Sequence, residues 1–536
     1  MPPCPRARSK THVNSLPTHL LAHIFSLCAD NASKAAVLAT CRYWHQTAGS
    51  HPPFWAPGLV LSGTKLQQAL DGGLSSKKAL FSFLQRRKGV VCKLRLLQGT
   101  TQWGHFLPAV LEAFQGGPLE DLSLELGAIR NYAPLAHKTT RRIFKEVLTL
   151  QGLRHLSLAV AHQSIHMDFT WRQLAALSCL SQMESLSLAG GLEGRPAPGL
   201  FAALSGLTSL SLRQDSGLLS SAAPLLEGLS RLQRVELCAF RLDTAPRQLE
   251  AQWQNLRELV LRSSSAGPAH GSDESQDESG SGAAGSAWEV LPRLPQLTGL
   301  TVVAGLLAPL RSAAVAALAG SQSVQSMRIG RYAEATLPDL QPGMLPALTR
   351  LRLSVAAELT QLPPSWCEVL APSLVWLEVE NCYRLRLPAE LSRLGSLQRL
   401  GVNHQRLEEV PPAVLPMSRL TRLSLCANTL RTLSPGPYLR NLRELVLFAN
   451  AFTHVPPALG LATQLQLLDC TMNWDLELGK EDLDVLSRLA GSLRRLLLRR
   501  WPGGSEAGWC GGRTSGAAPG VERRLRRLLP DAEVVL

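Results

Sequence analysis

The sequence predicts an α/β solenoid: about sixteen strand-and-return units with a parallel sheet on the concave side, preceded by a small all-helical domain. Three observations carry this. Leucine supplies roughly a fifth of the 536 residues, about twice ordinary usage, while aromatics stay at 5%. The template L-x-x-L-x-L recurs from Val91 to the C-terminus, mostly at steps of roughly 22–28 residues. The first sixty residues lack that template and space their apolar side chains as helices do.

The chain is too long for one compact core, and a core built mainly of one aliphatic side chain indicates one packing unit used many times. The clearest copies of the template begin at Leu119, Leu153, Leu207, Leu256, Leu348, Leu397, Leu420, Leu442 and Leu493. Degenerate copies begin at Val91, Met183, Leu232, Leu297, Val324, Leu374 and Leu465. Asn428, Asn450 and Asn473 follow eight residues after the starts of their copies, and Cys382 takes that place after Leu374. A side chain there is placed to bond the backbone as the chain leaves the strand. One unit cannot bury its leucines alone, so stacked neighbours must supply a continuous core. From Leu348 the returns shorten and carry Leu362-Pro363-Pro364, Val410-Pro411-Pro412 and Val455-Pro456-Pro457. Proline suits a tight extended return better than a long helix. Helices are therefore expected on the convex side of the early repeats and irregular segments behind the later ones. This pattern resembles the leucine-rich-repeat family over residues 91–536.

Two stretches break the period. Ser263–Gly285 is Ser/Gly-rich, with four acids and no base, and is expected to be a disordered insert. The segment 503–520 reads as a flexible loop; its glycines lack the GKS/T ending of a phosphate cradle. Beyond it, Val521–Leu529 and Glu533–Leu536 read as a last helix and strand that close the array.

Before the repeats, Leu16, Leu20, Leu21, Ile24, Phe25 and Leu27 fall mostly on one helical face, with Pro17 at the helix start. A second helix near Ser33 places Val37, Cys41 and Trp44 at i, i+4 and i+7, and a Pro-Pro turn then presents Phe54 and Trp55. Leu16-Pro17, Ile24-Phe25, Leu27, the run from Val37 through Cys41 and Arg42 to Trp44, and Pro52–Trp55 together resemble an F-box. One departure is His19, where the family commonly has an acidic residue. The expected organisation is an F-box-like helical domain at 13–61, a helical connector at 62–90 and the solenoid at 91–536. The resemblance implies a Skp-type adaptor and a cullin–RING ligase as partners, with Leu16, Pro17, Leu20, Leu21, Ile24, Cys41 and Trp44 at the adaptor contact.

The rest of the sequence speaks against catalysis. His19 and His23 stand at i, i+4 without a third ligand, and read as a surface pair rather than a metal site. No nucleophile elbow, paired-carboxylate motif or HExxH stands out, so no enzyme, cofactor or metal is expected. Eleven cysteines are scattered singly with no CxxC pair, which reads as a reduced intracellular chain. Met1–Lys10 has no apolar core of a secretory signal, and no run of eighteen uncharged apolar residues occurs. Cytoplasm, with the nucleus second, is the expected compartment, and no membrane contact is expected. The net charge of +14 comes from arginines spread end to end without a Gly-aromatic motif, which favours acidic protein partners over nucleic acid.

Residues three, five and seven of the template should face outward from the concave sheet, because side chains alternate along a strand. Position three then aligns Arg350, Trp376, Arg399 and Arg422, followed by Glu444, with Arg352 at position five and Phe448 at position seven. Arg350, Arg352, Trp376, Arg399, Arg422 and Phe448 form the candidate substrate surface, suited to an acidic or phosphorylated protein target. Arginine is common here, however, and Glu378, Glu380 and Glu444 stand ready to neutralise it. The functional expectation is a substrate-recruiting subunit of a Skp–cullin–F-box ubiquitin ligase that holds its target on the concave face. The alternative is a non-enzymatic repeat scaffold, cytoskeletal or axonemal, whose N-terminal helices only cap the solenoid.

Overall fold

The computed structural model describes residues 59–62, 74–97, 107–126, 133–160, 169–190, 192–193, 196–214, 220–242, 246–262, 287–304, 310–498 and 519–535. Leu16, Pro17, Leu20, Leu21, Ile24, Cys41 and Trp44 lie outside these residues, as do His19, His23 and the insert 263–285. The loop 503–520 is outside as well, except that Pro519 and Gly520 open the helix Pro519–Leu528.

The chain divides into two units, Met1–Arg241 and Leu242–Leu536. In the first, β1 (Leu59–Ser62), β2 (Lys93–Leu97), β3 (Asp121–Leu126), β4 (His155–Val160), β5 (Ser185–Gly190), β6 (Ser209–Gln214) and β7 (Arg234–Cys238) pair in parallel, each with the next. In the second, β8 (Glu258–Arg262), β9 (Gly299–Val303), β10 (Ser326–Gly330), β11 (Arg350–Ser354), β12 (Trp376–Glu380) and β13 (Arg399–Asn403) do the same. The series continues through β14 (Arg422–Ser424), β15 (Glu444–Val446), β16 (Leu467–Asp469), β17 (Arg495–Leu497) and β18 (Glu533–Val535). This is a leucine-rich-repeat solenoid. Every strand from β2 to β17 begins on the third residue of its template copy, so the repeat read from the sequence is the repeat of the fold.

Positions one, four and six point into the stack: Leu348, Leu351 and Leu353 are buried, as are Leu374, Leu377 and Val379 one unit on. Each fully buried leucine stabilises by roughly 1.5–3 kcal/mol relative to exposure. Helices form the returns of the first unit, at Leu74–Arg87, Leu107–Glu112, Ala133–Leu148 and Trp171–Ala175. Short 3₁₀ turns replace them at Ala389–Arg393, Pro412–Val414, Pro437–Leu439 and Pro457–Leu461. The prolines differ from expectation in one respect: they open helical turns rather than extended returns. Pro363 caps the helix Pro364–Val369, and Pro388, Pro411 and Pro456 precede the 3₁₀ turns. At a first helical position the missing N–H has no partner to lose.

The asparagines at position nine stitch the units together. Asn450 Nδ2 donates to the Leu425 carbonyl of the preceding unit (2.9 Å) and to Leu447 of its own (3.0 Å). Asn473 then donates to that same Leu447 carbonyl (3.0 Å) and to Cys470 (2.9 Å), while Asn428 donates to Val402 and Leu425. Their Oδ1 atoms accept from the backbone N–H groups of Leu407, Leu430 and Phe452 one unit earlier. Gln405 occupies the asparagine place in its own unit. One methylene longer, it reaches the Asn403 carbonyl through Nε2 but leaves Oε1 buried without a partner.

One feature carries no mark in the sequence. Ala239, Arg331, Val355, Asn381, His404, Ala427, Ala449 and Met472 all adopt a left-handed backbone, with φ between 51° and 64°, and all stand at position eight of their units. The turn keeps the backbone ladder running one rung past the strand. Val355, Asn381, His404, Ala427 and Ala449 each donate their N–H to the position-seven carbonyl of the following unit, at 2.8–3.2 Å. Left-handed geometry costs a non-glycine residue about 1–2 kcal/mol, most for a β-branched one, so the ladder offsets a local strain.

Two stability predictions follow from this stitching. Asn450→Ala strands the buried Leu430 N–H and should lower unfolding stability by about 1–3 kcal/mol in urea titration. Val355→Asn keeps the turn in a residue that tolerates it, at a site 42% exposed, and should raise stability by about 1 kcal/mol.

Candidate functional site

The strand register fixes which outward side chains become neighbours. At position three it aligns Ser326, Arg350, Trp376, Arg399, Arg422, Glu444 and Leu467 on successive strands β10–β16. Adjacent members stand about 4.8 Å apart, so Arg350 to Arg422 covers about 15 Å. Arg350, Arg399 and Arg422 are exposed, and Trp376 between them is half-buried. The Arg350 guanidinium lies 6.0 Å from the centroid of the Trp376 ring, a cation–π contact that holds the indole in place.

Two of the six candidate residues are charge-paired. Arg422 meets Glu444 at 2.8 Å. Arg352 lies between Glu378 (3.5 Å) and Glu380 (2.5 Å). The Arg422 pair is about half exposed and contributes at most about 1 kcal/mol. Arg399 makes no ion pair among the described residues. Phe448 is half-buried at position seven, on the side of the sheet that carries the asparagine turn.

Position seven departs from simple alternation. Ser354 and Asn403 are buried rather than presented. Asn403 turns its Oδ1 to accept from Cys426 N–H (2.9 Å) and Ser424 Oγ (2.8 Å) of the following unit. Position five adds a residue that the sequence reading passed over. Arg328 on β10 pairs in register with Arg352 and donates from Nε to Ser354 Oγ at 3.4 Å. Burial, then the adjacent Arg352, lower its pKa below the ordinary arginine value. It stands at position five of the copy that starts at Val324.

Among the described residues, no group of three or more His, Cys, Asp or Glu side chains is placed to hold a metal ion. No helix there is long and apolar enough to cross a membrane. The described cysteines are free thiols; burial pushes Cys367 and Cys470 up to about 12, so both stay protonated at neutral pH and act as packing groups.

Comparison with known proteins bears on the two ends of this arrangement. Residues 13–56 match the F-box-like family model. No curated protein sequence gives a significant match. Among solved structures, a leucine-rich-repeat protein of Leptospira interrogans aligns over 94% of this chain and 98% of its own, at 19% identity and TM-score 0.42. Toll in the Toll–Spatzle complex of Drosophila aligns over 78% of this chain and 53% of its own, at 17% identity and TM-score 0.40. TLR13, in its complex with ssRNA13, gives 78% and 55%, at 16% identity and TM-score 0.39. The segment that matches the F-box-like model precedes the leucine-rich-repeat solenoid described above.

Proposed function

We propose that this chain is the substrate-recruiting subunit of a Skp–cullin–F-box type ubiquitin ligase. The observation that carries the reading is the order of its parts: an F-box-like match at 13–56, followed by an open repeat sheet with an outward row of arginines around a tryptophan. The F-box-like segment docks a Skp-type adaptor through Leu16, Pro17, Leu20, Leu21, Ile24, Cys41 and Trp44, and through it a cullin–RING core. The solenoid holds the target protein on its concave face through Arg350, Arg352, Trp376, Arg399, Arg422 and Phe448. The chain contributes binding and placement, and ubiquitin transfer belongs to other subunits of the assembly. Guanidinium forks match carboxylate or phosphate oxygens, and an indole flanked by arginines is the usual composition of an interaction hot spot.

Leu16→Ala combined with Pro17→Ala removes apolar contact worth roughly 1.5–3 kcal/mol per side chain. Co-expression with a Skp-type adaptor should then give no adaptor in the pull-down, and undiminished recovery would rule out the ligase role. Changing Arg350, Arg399 and Arg422 together to glutamate should remove target proteins from the purified complex while leaving adaptor recovery and the melting temperature unchanged. Equal target recovery by mass spectrometry would place recognition elsewhere.

A further inference from the structure

A trough crosses the N-terminal rim of the second unit's sheet, from Val375 on the β12 unit to Gln466 on the β16 unit. It is lined by residues zero, two and three of successive templates, beside the outward row already described. Four guanidinium groups border it, those of Arg399, Arg419, Arg422 and Arg443, against the single carboxylate of Glu444. Arg422 is paired with Glu444, and Arg419 donates to the Gly395 carbonyl at 3.1 Å. The side chains of Arg399 and Arg443 make no hydrogen bond or ion pair among the described residues. Amides complete the floor: Asn441 donates to the Ser418 carbonyl (2.8 Å), and Gln464 donates to Asn441 Oδ1 (3.4 Å), so one backbone and one side-chain hydrogen bond pre-order the row.

We propose that this trough binds an extended segment of the target protein bearing phosphoserine or phosphothreonine. The inference rests on the substrate-recruiting reading above and names the class of segment recruited. Four strand steps at about 4.8 Å give a span of about 19 Å, the length of about six extended residues and well beyond a lone phosphate ion. Register places Arg399 beside Arg422, so two forks about 4.8 Å apart face one position of the ligand. Three positive charges in excess suit a dianionic phosphoryl group better than a single carboxylate. No aromatic side chain lines the trough, so it lacks the stacking platform with which proteins hold single-stranded nucleic acid.

The test is fluorescence anisotropy on the full chain at physiological salt. The probes are three labelled decapeptides of alternating glycine with phosphoserine, glutamate or serine. The phosphoserine peptide should bind at least tenfold tighter than the glutamate peptide, and the serine peptide should not bind. Arg399→Ala with Arg443→Ala should weaken phosphopeptide binding at least tenfold. Arg384→Ala with Arg393→Ala removes equal charge from ion pairs with Glu358 and Glu368, outside the trough, and should change binding less than twofold. Both variants are checked for an unchanged melting temperature, and Arg399→Lys with Arg443→Lys should restore part of the affinity. No phosphopeptide binding at millimolar concentration, equal loss in both alanine pairs, equal affinity for the glutamate peptide, or full displacement by equimolar inorganic phosphate would each overturn the proposal. Adaptor pull-down with the same proteins separates the two readings. Wild type that binds phosphopeptide but no adaptor loses only the ligase role, and wild type that binds adaptor but no phosphopeptide loses only the trough.

Discussion

No unit of this protein satisfies itself; each depends on its neighbour for both apolar contact and backbone hydrogen bonds. The leucines at positions one, four and six are buried only because the next unit covers them. The strand N–H and carbonyl groups pair only across units, and the position-nine asparagines spend their donors on carbonyls of two units at once. This nearest-neighbour requirement fixes the inward residues and the register. It leaves positions two, three and five free to vary, and there the candidate binding chemistry sits. The Arg350–Trp376–Arg399–Arg422 row is aligned by the ladder rather than by contacts among its own members.

The same requirement explains the strain at position eight. Continuing the ladder after the strand demands a left-handed residue in unit after unit, and the chain supplies alanine, histidine, methionine and even valine there. A glycine would relieve the backbone but would widen the unfolded ensemble and loosen the turn. Ala427 and Ala449 are each held by their own N–H bond to the following unit and by the next residue, Asn428 or Asn450, which donates to the carbonyl two residues before the turn. Rigidity at this turn keeps the outward rows parallel, which a binding surface spread over several strands needs.

Much of this was legible in the sequence because the repeat is a matter of period and burial. The template located the start of each strand from Lys93 to Leu497, and the asparagine role followed from backbone accounting. β1 escaped because Ala56 stands where the first leucine belongs, although Leu59 and Leu61 pair with Leu94 and Leu96 at positions four and six. The left-handed turn escaped because no glycine marks it. Asn403 escaped because alternation alone sends it outward, and only its bonds to Cys426 and Ser424 turn it in. The rim arginines Arg419 and Arg443 escaped because the trough they border is shaped by the turn before each strand, which the template does not describe.

The central claim is a division of labour, in which the F-box-like segment docks the ligase while the repeat sheet stays free for a target. Hydrogen–deuterium exchange on the full chain, with and without a Skp-type adaptor, tests it most directly. Slowed exchange confined to peptides from residues 13–56, with the strands from Arg350 to Val446 unchanged, is the predicted result. Protection appearing on those strands, or no protection within 13–56, would contradict it.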